Sequence, residues 1–154
     1  MKTRTILASL VVLVGGYALS FAEDANMGTW KLNEAKSNFS AGATRNSTVV
    51  YAAAGDKVKV TVDGVDGEGK PSHNEWTGQF DSKEYPVTGD ASSDVRSYKR
   101  IDDHTLELTG KKGGKVTLTG RVVVSADGKT RTVTTTSTDA KGNKHSNTAV
   151  YDKQ

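Results

Sequence analysis

From Asn46 onward, a turn signal interrupts this chain at short and regular intervals. Gly55-Asp56, Gly64–Lys70, Asp81-Ser82-Lys83, Asp102-Asp103-His104, Lys111–Gly114, Ala126-Asp127-Gly128 and Asp139–Asn143 separate runs in which no helical pattern competes. Those runs carry the period of two. In Lys57–Asp63, Val58, Val60 and Val62 fall on one face, and Lys57, Lys59, Thr61 and Asp63 on the other. Short turns between such strands favour sequential antiparallel pairing.

The strands predicted by this pattern are 28–32, Ser47–Ala53, Lys57–Asp63, Ser72–Phe80, Glu84–Val87, Asp94–Ile101, Thr105–Gly110, Lys115–Val124, Lys129–Thr138 and Lys144–Tyr151. Pro86 marks the fifth as an edge or a bulge, because it cannot donate to a ladder. The segment Asn33 to Arg45 has neither the length nor the apolar period for a helical pair. An open meander of this length exposes two unpaired edges, and closure removes both. The expected fold is all-β: a closed antiparallel up-and-down barrel of nine or ten strands, lipocalin-like, with a sandwich as the alternative.

The first 22 residues read as a secretory leader. Lys2 and Arg4 are followed by the apolar run Ile6–Leu19, and Ser20-Phe21-Ala22 offers small residues for cleavage after Ala22. The run is shorter than the roughly 20 residues needed to span a bilayer. This predicts a signal peptide at 1–22 and one barrel domain at 23–154, exported to a periplasm or secreted, with no membrane span after cleavage. Of 21 Lys and Arg, two sit in the leader, and the rest nearly balance 18 Asp and Glu. The charges are interspersed, so there is no basic stripe to neutralise phosphates and no nucleic-acid partner is expected. The absence of Cys excludes disulfides, thiolate metal sites and Cys nucleophiles.

Other chemistry finds little support. His73 and Glu75 share a face but supply two ligands where zinc takes more, and that face is opposite Trp76 and Phe80. Asp63, Asp66 and Glu68 match no calcium loop, and no nucleophile motif orders the Ser, His and Asp residues. No metal, cofactor or catalytic residue is assigned, and the protein is not expected to be an enzyme. Alternate Thr residues in Thr132–Thr138 read as an exposed strand face.

Both chain ends carry a resemblance. Gly28-Thr29-Trp30-Lys31-Leu32 is similar to the opening strand of the calycin group, the lipocalins and fatty-acid-binding proteins. The resemblance implies that Trp30 plugs the closed end of a barrel and that Gly28 lets the chain pass close beside it. Thr148-Ala149-Val150-Tyr151-Asp152-Lys153 resembles the last strand of fatty-acid-binding proteins, whose inward Arg and Tyr hold a carboxylate. Tyr151 fills the Tyr position, whereas Ala149 stands in place of the Arg, and the helical lid of that family is absent from Asn33–Arg45.

The interior is therefore the candidate site. The residues expected inward are Val58, Val60, Val62, Leu106, Leu108, Val116, Leu118 and Val122, with Trp76, Phe80 and Tyr151. Only 34% of the chain is hydrophobic and the leader takes a large share, which suggests a cavity or a partly polar interior. The expected function is binding of a small apolar or amphipathic ligand, the alternative being a filled structural or interaction barrel of the cell envelope. Trp76, Phe80, Tyr151 and Leu106 are the expected ligand contacts. Because Ala149 removes the Arg, a neutral ligand is expected over a fatty acid, with Arg131 the one substitute cation.

Overall fold

A computed structural model describes residues 24–154; the proposed leader lies outside the described residues. Ten strands follow in order: β1 (Gly28–Leu32), β2 (Arg45–Ala54), β3 (Lys57–Val65), β4 (Pro71–Gly78), β5 (Tyr85–Thr88), β6 (Val95–Arg100), β7 (Thr105–Lys112), β8 (Lys115–Val124), β9 (Thr130–Thr138) and β10 (Lys144–Lys153). Each pairs antiparallel with the next, and β1 pairs with both β2 and β10, closing the barrel. Apart from the single 3-10 turn Glu34–Lys36, the described residues contain no helix. None could therefore cross a membrane as a long apolar helix.

The period of two survives along most strands because one face is buried and the other is wet. Val60, Val62 and Trp76 point into the core from β3 and β4, while Lys59, Glu75, Asp63 and His73 pair on the outside. Pro86 needs no free edge. Its strand β5 is four residues long and makes only two register pairs with each neighbour.

Two bulges break the alternation. On β2 the register steps from Asn46↔Gly64 to Thr48↔Asp63, leaving Ser47 as the extra residue; its hydroxyl donates to the Asp63 carbonyl at 3.1 Å. Val49 and Tyr51 face inward, and the extra residue brings Asn46 inward as well. On β8 the register steps from Gly110↔Leu118 to Lys111↔Val116, and Thr117 bonds back to the Gly110 carbonyl. Strict alternation places Val116 inside with Leu118; the bulge turns it out, and it is 50% exposed.

One end of the barrel is packed shut. Trp30 is fully buried there, and its indole N–H donates to the Asn26 carbonyl at 2.8 Å. Gly28 has φ +106°, and a Cβ at this position would sit 3.1 Å from Lys153 Cε. Glycine thus lets the Lys153 side chain cross over to the Trp30 ring, with its Nζ 5.4 Å from the ring centroid. At the other end the β1–β2 segment is strapped to β10 through paired backbone bonds between Asn38 and Thr148. The Ser40 amide, donating to Asn147 Oδ1, extends the strap.

Candidate functional site: the barrel mouth and interior

The open end holds a cavity of about 410 Å³ between the Ser40–Thr44 strap, the β5–β6 loop and the start of β10. Below it, a smaller cavity of about 90 Å³ lies inside the barrel. Asn46, Asn74, Arg96, Leu118 and Thr135 line both, so these five residues form the waist between mouth and interior.

The strands explain why the waist is polar. Asn74 is in phase with Trp76 on β4, and Arg96 with Tyr98 on β6; Thr135 follows Arg131 and Val133 on the inward face of β9. Arg96 is 7% exposed. One of its Nη atoms donates to Asp90 Oδ2 at 2.9 Å, and its Nε has no partner. Burial alone would lift the Asp90 carboxyl, but bonds from Ser92 and the Arg96 guanidinium outweigh it and hold the carboxyl below its usual range. Burial likewise opposes the Arg96 charge, and Tyr98 and Asp90 overcome it. At the rim, His145 Nε2 lies 3.2 Å from Asp139 Oδ2. The Asn143 side chain and amide, with His145, bring the Asp139 carboxyl down to about 2.

Deeper in, Tyr51, Tyr98, Tyr151 and Arg131 reach the small cavity among valines. Arg131 is 2% exposed and has no carboxylate partner among the described residues. Its guanidinium lies 4.8 Å from the Tyr151 ring centroid, 5.0 Å from Tyr51 and 5.1 Å from Trp30. Three negative ring faces supply the attraction that a carboxylate otherwise would. They accept no strong hydrogen bond, and both Nε and Nη1 of Arg131 remain unpartnered. Burial pushes the Tyr151 phenol up to about 12, against the pull of Arg131.

The sequence-predicted contacts are thus divided. Tyr151 and Arg131 line the interior cavity together, and the phase of β9, open in the sequence, turns Arg131 inward with Val133. Trp76, Phe80 and Leu106 line neither cavity. Trp76 is enclosed by Tyr98 at 4.7 Å and Tyr85 at 5.7 Å, and Phe80 stacks on it at 6.3 Å with 6° between the ring planes. Leu106 is fully buried in the core. Arg96, Asn74 and Asn46 were not singled out from sequence. Asn74 and Arg96 carried a usable signal, each standing two residues from an inward aromatic, whereas Asn46 is revealed by the bulge alone.

His73 bridges Asp63 and Glu75 on the outer wall at 2.6 and 3.5 Å. Among the described residues no group of three or more His, Asp or Glu side chains is placed to hold a metal ion.

The chain matches no protein-family model and none of the curated proteins. Among solved structures it is similar to one titled "Structure of EF1p2_mFAP2b bound to DFHBI". That similarity covers 84% of this chain and 94% of the other, at 9% identity and a TM-score of 0.47.

Proposed function

We propose that this protein is an exported, non-catalytic barrel that binds one small amphipathic molecule through its open end. The observation that supports this most is the mouth cavity of about 410 Å³, which lies within the size range of small-molecule sites. Arg96 and Leu118 both line its floor, a cationic side chain together with an apolar one. Export rests on the order of basic, apolar and small residues in 1–22. A filled structural barrel is the competing reading, favoured by the small interior void.

Native mass spectrometry of the protein isolated gently from the exporting cell tests both parts. The expected species begins at Glu23 and carries a stoichiometric small molecule. A mature species with no adduct, and no shift in melting temperature across a metabolite panel, would leave the structural barrel as the better reading. A full-length, membrane-bound species would overturn export.

A further inference from the structure

Three asparagines line the mouth cavity from separate strands: Asn46 from β2, Asn74 from β4 and Asn147 from β10. All three are half-buried, and the protein itself makes little use of them. Among the described residues Asn46 makes no side-chain hydrogen bond. Asn74 uses only its oxygen, for Arg96 at 3.5 Å, and Asn147 only its oxygen, for the Ser40 amide and hydroxyl. Three amide NH₂ groups and one amide oxygen are therefore left over. Unlike Nε of Arg96, none of these unengaged amide atoms is wholly enclosed.

The charges at the mouth are engaged already. Asp90 accepts from the Ser92 amide and hydroxyl and, at 2.9 Å, from Arg96. Asp139 accepts from the Lys141 and Asn143 amides, the Asn143 side chain and His145. That takes up the roughly four acceptor positions of a carboxylate. An ionic ligand would meet like charge as well as opposite charge here, and what stays open to an occupant is neutral. The amide NH₂ groups need acceptors and the Asn46 oxygen needs a donor; a hydroxyl is both. A flat heterocycle also offers both, yet no aromatic side chain lines the mouth to stack on one. The three amides stand on alternate strands of the run β10, β1, β2, β3, β4, so they approach from different directions. Such a spread suits hydroxyls radiating from a saturated carbon frame better than a single planar edge.

Resting on the binding reading above, we infer that the ligand is a neutral polyhydroxylated molecule, a sugar or sugar alcohol, held by Asn46, Asn74 and Asn147. Its hydroxyls bond to the three amides, and its carbon frame lies against Leu118 at the floor of the mouth.

The test titrates the ¹⁵N-labelled mature protein with glucose, xylose and sorbitol, with the charged relatives gluconate and glucosamine, and with hexanol. The side-chain NH₂ signals of the three asparagines report on the site directly. At least one of the neutral sugars or sorbitol should bind and move all three signals, and neither charged relative should bind tighter. Asn46→Ala removes no hydrogen bond within the protein, so it should melt like wild type. It should bind the same probe about three- to tenfold more weakly, as expected for one neutral hydrogen bond. The wild-type titration carries the test even where that variant does not fold. Gluconate or glucosamine binding ten times tighter than the neutral probes would overturn the inference and leave the binding reading standing. So would binding of hexanol alone, or binding that leaves the three NH₂ signals unmoved. Binding of none of the six would overturn the inference, and the binding reading would fall with it only if the natively isolated protein also carried no adduct.

Discussion

Arg131 and Trp30 meet at the bottom of the barrel, the guanidinium carbon 5.1 Å from the indole centroid, with Lys153 Nζ 5.4 Å from the same ring. Trp30 therefore lies close to two cations, one from inside the barrel and one from the C-terminal strand. Its N–H is spent on the Asn26 carbonyl, which ties the residues before β1 to the same point. The plug and the buried cation are parts of one arrangement. Trp30 presents its face to Arg131, and Arg131 in turn fixes the inward rings of Tyr51 and Tyr151.

Trp30→Ala should accordingly be among the most damaging single changes. Truncating a buried Trp costs about 3–5 kcal/mol, and here it also bares one face of a buried charge. Thermal melts followed by circular dichroism should show a fall on the order of 10–20 °C. Trp30→Phe, which keeps a ring for Arg131 and loses the bond to Asn26, should fall by less. Similar melting temperatures for wild type and Trp30→Ala would contradict this account of the closed end.

Asp90 offers a second test, at the waist. Its folded carboxyl is held below the ordinary value, so the stability it contributes is present above that value and lost as pH falls through the folded one. Wild type should lose part of its urea resistance below about pH 4, the ordinary carboxylate range. Asp90→Asn should already be weakened at pH 7, by about 3–5 kcal/mol, because Arg96 is left buried without its charge partner. Its acid dependence should be flatter than that of wild type. A variant that tracks wild type at both pH values would show that the pair adds nothing.

The barrel was legible because turn residues and alternation say the same thing along most of the chain. β1 and β8 were bounded to the residue, and the other strands to within one or two at most ends. Alternation failed where a bulge inserts one residue, and a bulge leaves no mark in composition. Val116 was placed inside, and Asn46 was passed over, for that single reason. The candidate site was harder to read because its residues are polar and stand on faces otherwise apolar. Arg96 is such a case; its place two residues from Tyr98 puts it on the inward face, but only the fold shows the Asp90 carboxylate that pairs with it there. Trp76 and Phe80 mislead in the opposite direction. Two aromatics on one face suggest a ligand wall, yet aromatics also satisfy one another, and here Tyr85 and Tyr98 complete their shell.

That shell predicts the effect of a small insertion. A Cβ at Gly78 would fall 2.5 Å from the Tyr85 ring and 2.6 Å from Trp76 Cζ2. The Trp76 ring has no room to retreat, since it is also against Tyr98 and Phe80. Gly78→Ala should therefore destabilise through overpacking, by about 1–3 kcal/mol in chemical denaturation. Its Trp fluorescence should also be altered, because Trp76 must shift. Gly55→Ala, at a turn where a Cβ meets nothing within 4 Å, isolates the cost of positive φ alone and should leave the fluorescence unchanged.

The buried phenols set the alkaline limit. Burial raises Tyr51 well above its ordinary value, with Tyr98 adding to the effect and Arg131 opposing it, and it raises Tyr151 to about 12. A group whose folded pKa is raised contributes stability that is complete below its unfolded value and disappears as pH rises through the folded one. For Tyr151 that window runs from about 10, where the unfolded phenol ionises, to about 12. Urea midpoints should be level below pH 9 and fall steeply above pH 10. Tyrosinate absorbance from Tyr51 and Tyr151 should appear only together with unfolding. Tyr151→Phe removes the ionisable oxygen and keeps the ring over Arg131, so its midpoint should fall less over the same range. If instead every phenol ionised near pH 10 with the fold intact, the small cavity would have to be open to solvent, and Arg131 with it.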